Sequence, residues 1–272
     1  MPHKDKNTHT DMLSLAEEIA REAGDFLLSR LNSQFQISKK GLTNLVTEMD
    51  LQSETMITES IRGLYPDHQI LAEEKASQES DSAYKWIIDP LDGTTNYAHG
   101  YRFFCVSIAV EHQHDVIFGV VYDPVTKELF KGIRGGGAFL NGRPIRSSVE
   151  SQLSESLICT GFSYDREGVL VNLFHFNNLI LEARAVRRDG SAALDLCYVA
   201  CGRYDGFWEI SLNPWDVAAG KLIVEEAGGR ISSFSGNPCT VYDAEILATN
   251  GRIHEQMMTL LNRGPSSKVA RK

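Results

Sequence analysis

Residues 86 to 96 read WIIDPLDGTTN, Trp86 to Asn96: three large apolar residues meet Asp89-Pro90, and a second Asp, a Gly and two Thr follow at once. The run KWIIDP predicts a buried strand that stops at the proline, which restrains the residue before it and donates nothing to a ladder. GTTNYA then predicts the start of a helix. Two readings fit the stretch taken alone. Asp, Pro and Gly together make turns with helix-capping chemistry. The alternative is a site, in which Asp89 and Asp92, brought together by a Pro-Leu turn, bridge cations. Beside them the free N–H groups at the helix start favour an anion, Gly93 permits close approach and Thr94 adds a hydroxyl.

Working outward, Leu13, Ala16, Ile19, Ala20, Ala23, Leu27 and Leu31 recur at helical spacing. A second helix is expected over residues 47–64, ending at the turn residues Pro66 and Asp67. HQILAEE is a short apolar run closing on two acids. FCVSIAVEH and VIFGVVYDP read as a hairpin, and ELFKGIRGGGAFLNGRPI continues the meander. Further on, helices at about 169–182, 191–201 and 215–226 alternate with the short strands DGFWEI, GRISSF and EILATN, and RIHEQMMTLLNR is a last helix. Hairpins argue against a purely parallel sheet, and alternating helices argue against an all-β fold. The class is therefore α/β (α+β), layered, with mixed and antiparallel sheets. One catalytic domain is expected over residues 11–262, divisible into halves 11–148 and 149–262. A disordered leader, 1–10, and a basic tail, 263–272, flank it.

The 272 residues carry a formal net charge of −9, with 42% apolar and 23% charged side chains. That composition is globular and gives no fold-wide basic surface for nucleic acid. An acidic enzyme working on phosphate esters needs metal cations or focused Arg/Lys to neutralise its substrate. The five cysteines are scattered and mostly set in apolar runs, as buried thiols of a reducing compartment are. The polar start lacks a signal-peptide core, and no run reaches the roughly 18 apolar residues of a membrane span. A cytoplasmic protein without membrane association is expected.

Acids fall where strands end and helices begin: Glu73 and Glu74 after ILA, Asp89 after WII, Asp92, Asp216 after NPW, and Asp50 near the start of the second helix. Such positions open onto clefts in layered α/β folds. Crowded carboxylates repel one another, and a divalent cation with a taste for hard oxygen, Mg²⁺ above all, removes that penalty. Carboxylates for cations beside amides for an anion is the layout of metal-assisted phosphoryl chemistry. Cys105 sits in a β-rich run and reads as core, and the eight His are dispersed.

Three stretches, LAEE (71–74), WIIDPLDGTTNYAHG (86–100) and NPWDVAAGKLIVEEAGG (213–229), together resemble the inositol monophosphatase family of Mg²⁺-dependent, lithium-sensitive phosphatases. The resemblance runs from Leu13 to Leu260, and RRDGSAALDLCYVACGRYDGFWEI (187–210) is similar to its bacterial SuhB-like branch. It implies an αβαβα sandwich like that of fructose bisphosphatase and a homodimer. It also implies two to three Mg²⁺ per subunit. Glu73, Asp89 and the Leu91 carbonyl would hold the first, Asp89, Asp92 and Asp216 the second, and Glu73 would share a third through waters. Thr94, paired with Asp50, would activate the attacking water, and the Gly93 and Thr94 amides would receive the phosphate. Asp92, Gly190, Ser191, Ala192 and Glu209 would contact the hydroxyl-bearing moiety. Glu74 is the implied partner beside the metal set, and Lys39 matches a family lysine on a loop near the metals. The chain departs from the family at Asn44, where a carboxylate commonly precedes LVT, and Ser191 replaces a Thr of some relatives.

The implied substrate is myo-inositol monophosphate. Histidinol phosphate, fructose 1,6-bisphosphate and 3′-phosphoadenosine 5′-phosphate are alternatives that keep the chemistry. A reading of another class also follows from the resemblance: SuhB-like relatives join RNA-polymerase antitermination complexes and act as ribosome-assembly factors. Arg184, Arg187 and Arg188 form a short basic cluster for such contacts, or a solvated strand end or dimer contact.

Overall fold

α1 (His3–Arg30) buries Ala16, Ile19, Ala20, Ala23 and Leu27, with Leu31 buried just beyond its end, the single apolar face the spacing predicts. The structure, a computed structural model, describes residues 3–39, 45–74 and 80–263. α1 starts at His3, within the stretch 1–10 that the sequence suggests as a leader. No Gly or Pro interrupts residues 3–10, and His9 Nε2 meets the Tyr84 hydroxyl at 3.2 Å, which docks this end on the sheet. Asn44 and residues 264–272 of the basic tail lie outside the described residues.

The chain continues through β1 (Ile37–Lys39), β2 (Leu45–Thr47), α2 (Glu48–Leu64), β3 (Gln69–Ala72), β4 (Tyr84–Asp92) and α3 (Thr94–Ala98). A meander follows: β5 (Cys105–His112), β6 (Asp115–Asp123), β7 (Glu128–Ile133), β8 (Gly137–Leu140) and β9 (Arg143–Pro144). The second part holds β10 (Leu157–Thr160), α4 (Arg166–Ile180), β11 (Ala185–Arg187), α5 (Ala192–Ala200), β12 (Gly206–Ile210), α6 (Pro214–Glu226), β13 (Arg230–Ser232), β14 (Glu245–Thr249) and α7 (His254–Leu261).

Among the described residues, β3 to β9 form a seven-stranded sheet in sequence order, parallel only between β3 and β4. A five-stranded sheet runs β11-β10-β12-β14-β13, parallel across its first three strands and antiparallel beyond. Strand alternation sorts the side chains into three cores. Trp86 and Ile88 of β4, with Val106, Ile108 and Val110 of β5, pack under α1 and α2. Ile87, Cys105 and Ala109 face the other way, onto α5 and α6, which also receive Phe207 of β12 and Ala248 of β14. Trp208 and Leu247 point outward into a third cluster with Leu179 of α4 and Met257 of α7. The result is the αβαβα sandwich: α1/α2, seven strands, α5/α6, five strands, α4/α7. The cysteines are free thiols; Cys105, Cys159 and Cys197 are buried, and Cys197 lies in the central core.

Two local features place the site. β4 does not stop at Pro90, as the sequence suggests, but runs on to Asp92. Asp89 pairs with Ser107 and Asp92 with Cys105, so three steps on β4 match two on β5 and a bulge absorbs the proline. The Pro90 carbonyl takes the Ser53 hydroxyl of α2 at 2.8 Å. On the opposite face, α6 presses directly on β6 at Gly119, where an added Cβ would stand 2.5 Å from Ala219 Cα. Gly119→Val is therefore expected to lower stability by about 2–3 kcal/mol through overpacking, read as a shifted urea midpoint. A variant as stable as wild type would mean that α6 can lift off the sheet without loss.

Candidate active site

Residues three apart on a regular strand face opposite sides, and the extra residue of the bulge gives Asp89 and Asp92 the same side. Both line one cleft with Glu73, Leu91, Gly93, Thr94, Glu209 and Asp216. Asp89 is 2% exposed and braces the turn by accepting the Leu91 N–H at 3.0 Å. Asp92 Oδ2 accepts from the Ser191 hydroxyl and the Ala193 N–H, each at 2.7 Å. Ser191 is the N-cap of α5, so this carboxylate sits where open N–H groups and the helix dipole favour negative charge. Asp216, in the first turn of α6, likewise accepts the Asn213 N–H at 2.6 Å within a capping box.

Gly93 precedes α3 at φ +98, and a Cβ there would lie 2.9 Å from the Phe103 carbonyl, so glycine is required. The first intrahelical bond runs from the Tyr97 N–H to the Gly93 carbonyl at 2.9 Å. The Gly93 and Thr94 amides thus precede the helix ladder, at the floor of the cleft. Thr94 Oγ1 donates to Asp50 Oδ1 at 2.8 Å. Asp50 is fully buried, and its other oxygen accepts the Thr47 N–H at 2.8 Å and the Thr47 hydroxyl at 2.5 Å, the capping box of α2. The paired threonine and aspartate come from the first turns of two helices, α3 and α2, 44 residues apart in sequence.

Electrostatics make this a crowded set. Asp89 is held well above the usual carboxylate range, first by burial and then by Glu73, Asp92 and Asp216. Burial pushes Asp92 up to about 6 against the Ser191, Ala193 and Ala192 donors, and Asp216 up to about 7 with Asp92 adding to it. Asp50 is raised by burial while its threonine partners oppose the rise. Glu209, 7% exposed, is raised by burial and by Asp216, with Arg188 pulling the other way. Among the described residues no three His, Cys, Asp or Glu side chains close into a finished ion cage. The donor chemistry nonetheless fits a divalent ion: hard oxygens, one shared cleft, and mutual repulsion that a cation would relieve.

The structure brings Glu73, Asp89, Leu91, Asp92, Gly93, Thr94, Gly190, Ser191, Ala192, Glu209 and Asp216 to the cleft, with Asp50 directly behind Thr94. Glu74 does not line it; its N–H bonds Glu54 Oε2 of α2 at 2.8 Å. Lys39 ends β1 opposite Leu45, and its side chain lies outside what is described. The basic cluster is divided: Arg184 pairs with Glu155, Arg187 stays exposed, and Arg188 lines the cleft. Sequence reading missed Tyr164 and Arg188 on the cleft wall, and Asn96, whose Nδ2 donates to the Phe103 and Asp189 carbonyls at 2.8 Å each. Asn96 stands inside the motif that opened the reading. Tyr164 gives no local signal, because only the β10–α4 connection carries it there.

A family model described as the inositol monophosphatase family matches residues 9–265. The chain is 46% identical over 256 residues to an inositol-1-monophosphatase of Synechocystis sp., covering 93% of this chain and 89% of that relative. It is 41% identical over 251 residues to a protein named Nus factor SuhB of Pasteurella multocida, covering 91% and 94%. The crystal structure of extragenic suppressor protein suhB from Bartonella henselae superposes with a TM-score of 0.90 at 38% identity, covering 93% of this chain and 99% of that one.

The raised carboxylates fix a pH dependence. Asp92 and Asp216 keep protons in the folded chain that the unfolded chain, at 3.8, has already released. Without divalent cations, stability is therefore expected to fall as pH rises from about 4 to about 7. Asp216→Asn keeps the cap acceptor and drops the charge, so urea melts in chelator should show a flatter slope; an unaltered slope would refute the crowding.

Proposed function

The chain belongs to the inositol monophosphatase family, and on that premise we propose that it is a Mg²⁺-dependent phosphomonoesterase converting myo-inositol monophosphate to inositol and phosphate. The observation that carries this reading is the convergence of Glu73, Asp89, Asp92 and Asp216 beside the Asp50–Thr94 pair in one cleft. Glu73, Asp89 and the Leu91 carbonyl would hold one Mg²⁺, Asp89, Asp92 and Asp216 a second, and Glu73 a share of a third. Bound there, they supply Lewis-acid stabilisation of the phosphoryl oxygens and a more acidic water.

The chain's own residues do the rest. The Gly93 and Thr94 amides meet the phosphate ahead of the α3 ladder. Thr94 Oγ1, whose hydrogen is directed at Asp50 Oδ1, offers its lone pair to the attacking water. As water adds to phosphorus, its proton passes to Thr94 Oγ1 and the threonine proton to Asp50, whose burial raises its basicity. The departing inositol oxygen takes a proton from solvent. Asp92, Gly190, Ser191, Ala192 and Glu209 line the cleft and would contact the inositol ring, with Glu209 accepting its hydroxyls.

Phosphate release from inositol 1-phosphate should require Mg²⁺, be inhibited by lithium and vanish in Asp92→Asn. Thr94→Ala is expected to lower kcat by roughly 10²–10⁴-fold. Wild-type turnover by Asp92→Asn at saturating Mg²⁺ would sink the assignment, and a panel with histidinol phosphate, fructose 1,6-bisphosphate and 3′-phosphoadenosine 5′-phosphate tests the substrate. Light scattering tests the homodimer. Among the described residues no helix is long and apolar enough to cross a membrane.

The relative named Nus factor SuhB favours a second role, in contact with transcription machinery. Arg187, exposed at the end of β11, is the member of the basic cluster left for it. Capture of antitermination factors by wild type and not by Arg187→Ala supports that role; no capture by either removes it.

A further inference from the structure

Arg188, one residue beyond β11, is the sole cation among the described cleft-lining residues. Its guanidinium makes no hydrogen bond or ion pair among the described residues, whereas Arg184 is paired with Glu155 and Arg203 with Glu128. It nevertheless lies over the site: a Cβ on Gly190 would stand 2.7 Å from Arg188 Nη1, and Gly190 has φ +89. Tyr164, which lines the same cleft, engages Thr95 through its hydroxyl and shares the field of Arg188.

What keeps a free guanidinium there is charge at a distance. Arg188 stabilises the anionic forms of Glu209 and Asp195. Asp195, 1% exposed on α5, has neither carboxylate oxygen hydrogen-bonded among the described residues. Asp189, next in sequence to Arg188, adds a third carboxylate to the same neighbourhood. Their summed field attracts the cation without using its five N–H donors, which stay available to a ligand.

We propose that Arg188, with Tyr164 beside it, is a specificity-determining residue that grips the hydroxyls of the alcohol half of the phosphate ester, so that the cleft selects neutral polyol phosphates. A forked donor next to Glu209 as acceptor matches vicinal hydroxyls, each of which donates and accepts. A second phosphate or carboxylate on the substrate would be attracted by Arg188 but repelled by Glu209, Asp189 and Asp195. The proposal rests on the phosphatase reading given above.

The test is steady-state kinetics of the Mg²⁺-loaded full chain on inositol 1-phosphate, p-nitrophenyl phosphate and fructose 1,6-bisphosphate, with wild type, Arg188→Gln and Arg188→Lys. Selectivity, the ratio of kcat/KM for the inositol ester to that for the aryl ester, is expected to fall about tenfold or more in both variants, mainly through KM. Arg188→Lys keeps the charge facing Asp189, Asp195 and Glu209, so its thermal midpoint should match wild type while the lost fork still costs selectivity. A purely structural role would instead let lysine restore selectivity, and that result overturns the proposal. So does selectivity within about twofold of wild type in both variants, or a larger loss on the bisphosphate than on the inositol ester. A wild type that cleaves neither the inositol nor the aryl ester ends the phosphatase reading and this proposal together. A wild type that cleaves both, with selectivity unmoved by the variants, ends this proposal alone.

Discussion

When the Asp92 carboxylate takes the Ser191 hydroxyl and the Ala193 N–H, each at 2.7 Å, it joins the end of β4 to the start of α5. Much of the cleft geometry follows from that junction. α5 lies in the middle layer against α6, with Gly220 leaving room for Leu196. Fixing α5 against β4 therefore also fixes the first turn of α6, where Asp216 sits. The turn that carries Gly190 is held from the other side by Asn96 of α3. The walls of the cleft come from different layers, and these polar contacts set their spacing.

The same junction shows how the fold tolerates buried acids. Asp50, Asp92 and Asp216 each sit at the start of a helix, where backbone donors meet them. That help is limited: a helix N-terminus typically returns about 0.3–1 kcal/mol. The rise of Asp92 from 3.8 to about 6 corresponds to about 3 kcal/mol in favour of its protonated form, even with its donors in place. Burial and crowding outweigh capping, so the ionised set is left short of positive charge. The residual is an electrostatic demand for a cation, and it arises from where the strands and helices end.

Much of this was legible in the sequence because periodicity and punctuation report locally. The apolar spacing of α1, the hairpin of β5 and β6, and the Gly-Thr-Thr start of α3 each carry their own signal. β10 and β11 do not: at four and three residues they are too short for alternation to show, and only parallel pairing with β12 and with each other defines them. Pro90 misled because a bulge can absorb a proline that a regular ladder cannot. Arg184, Arg187 and Arg188 look alike as a string, yet a strand end sends them to an ion pair, to solvent and to the cleft. Asp195 reads as an ordinary polar residue of α5, and only packing reveals it as a buried carboxylate without hydrogen bonds among the described residues.

The partners of Asp92 lie 99 and 101 residues downstream of it. A growing chain thus makes the whole meander, β5 to β9, well before Ser191 and Ala193 exist to receive that carboxylate. Contacts of such sequence separation are costly to close and form slowly, and an emerging N-terminal half exposes the apolar face that α5 and α6 will cover. Completion of the cleft is for that reason a late event in the life of the molecule. A nascent or truncated chain can own most of the sheet and still have no site, so the fold withholds its chemistry until synthesis has passed the middle layer.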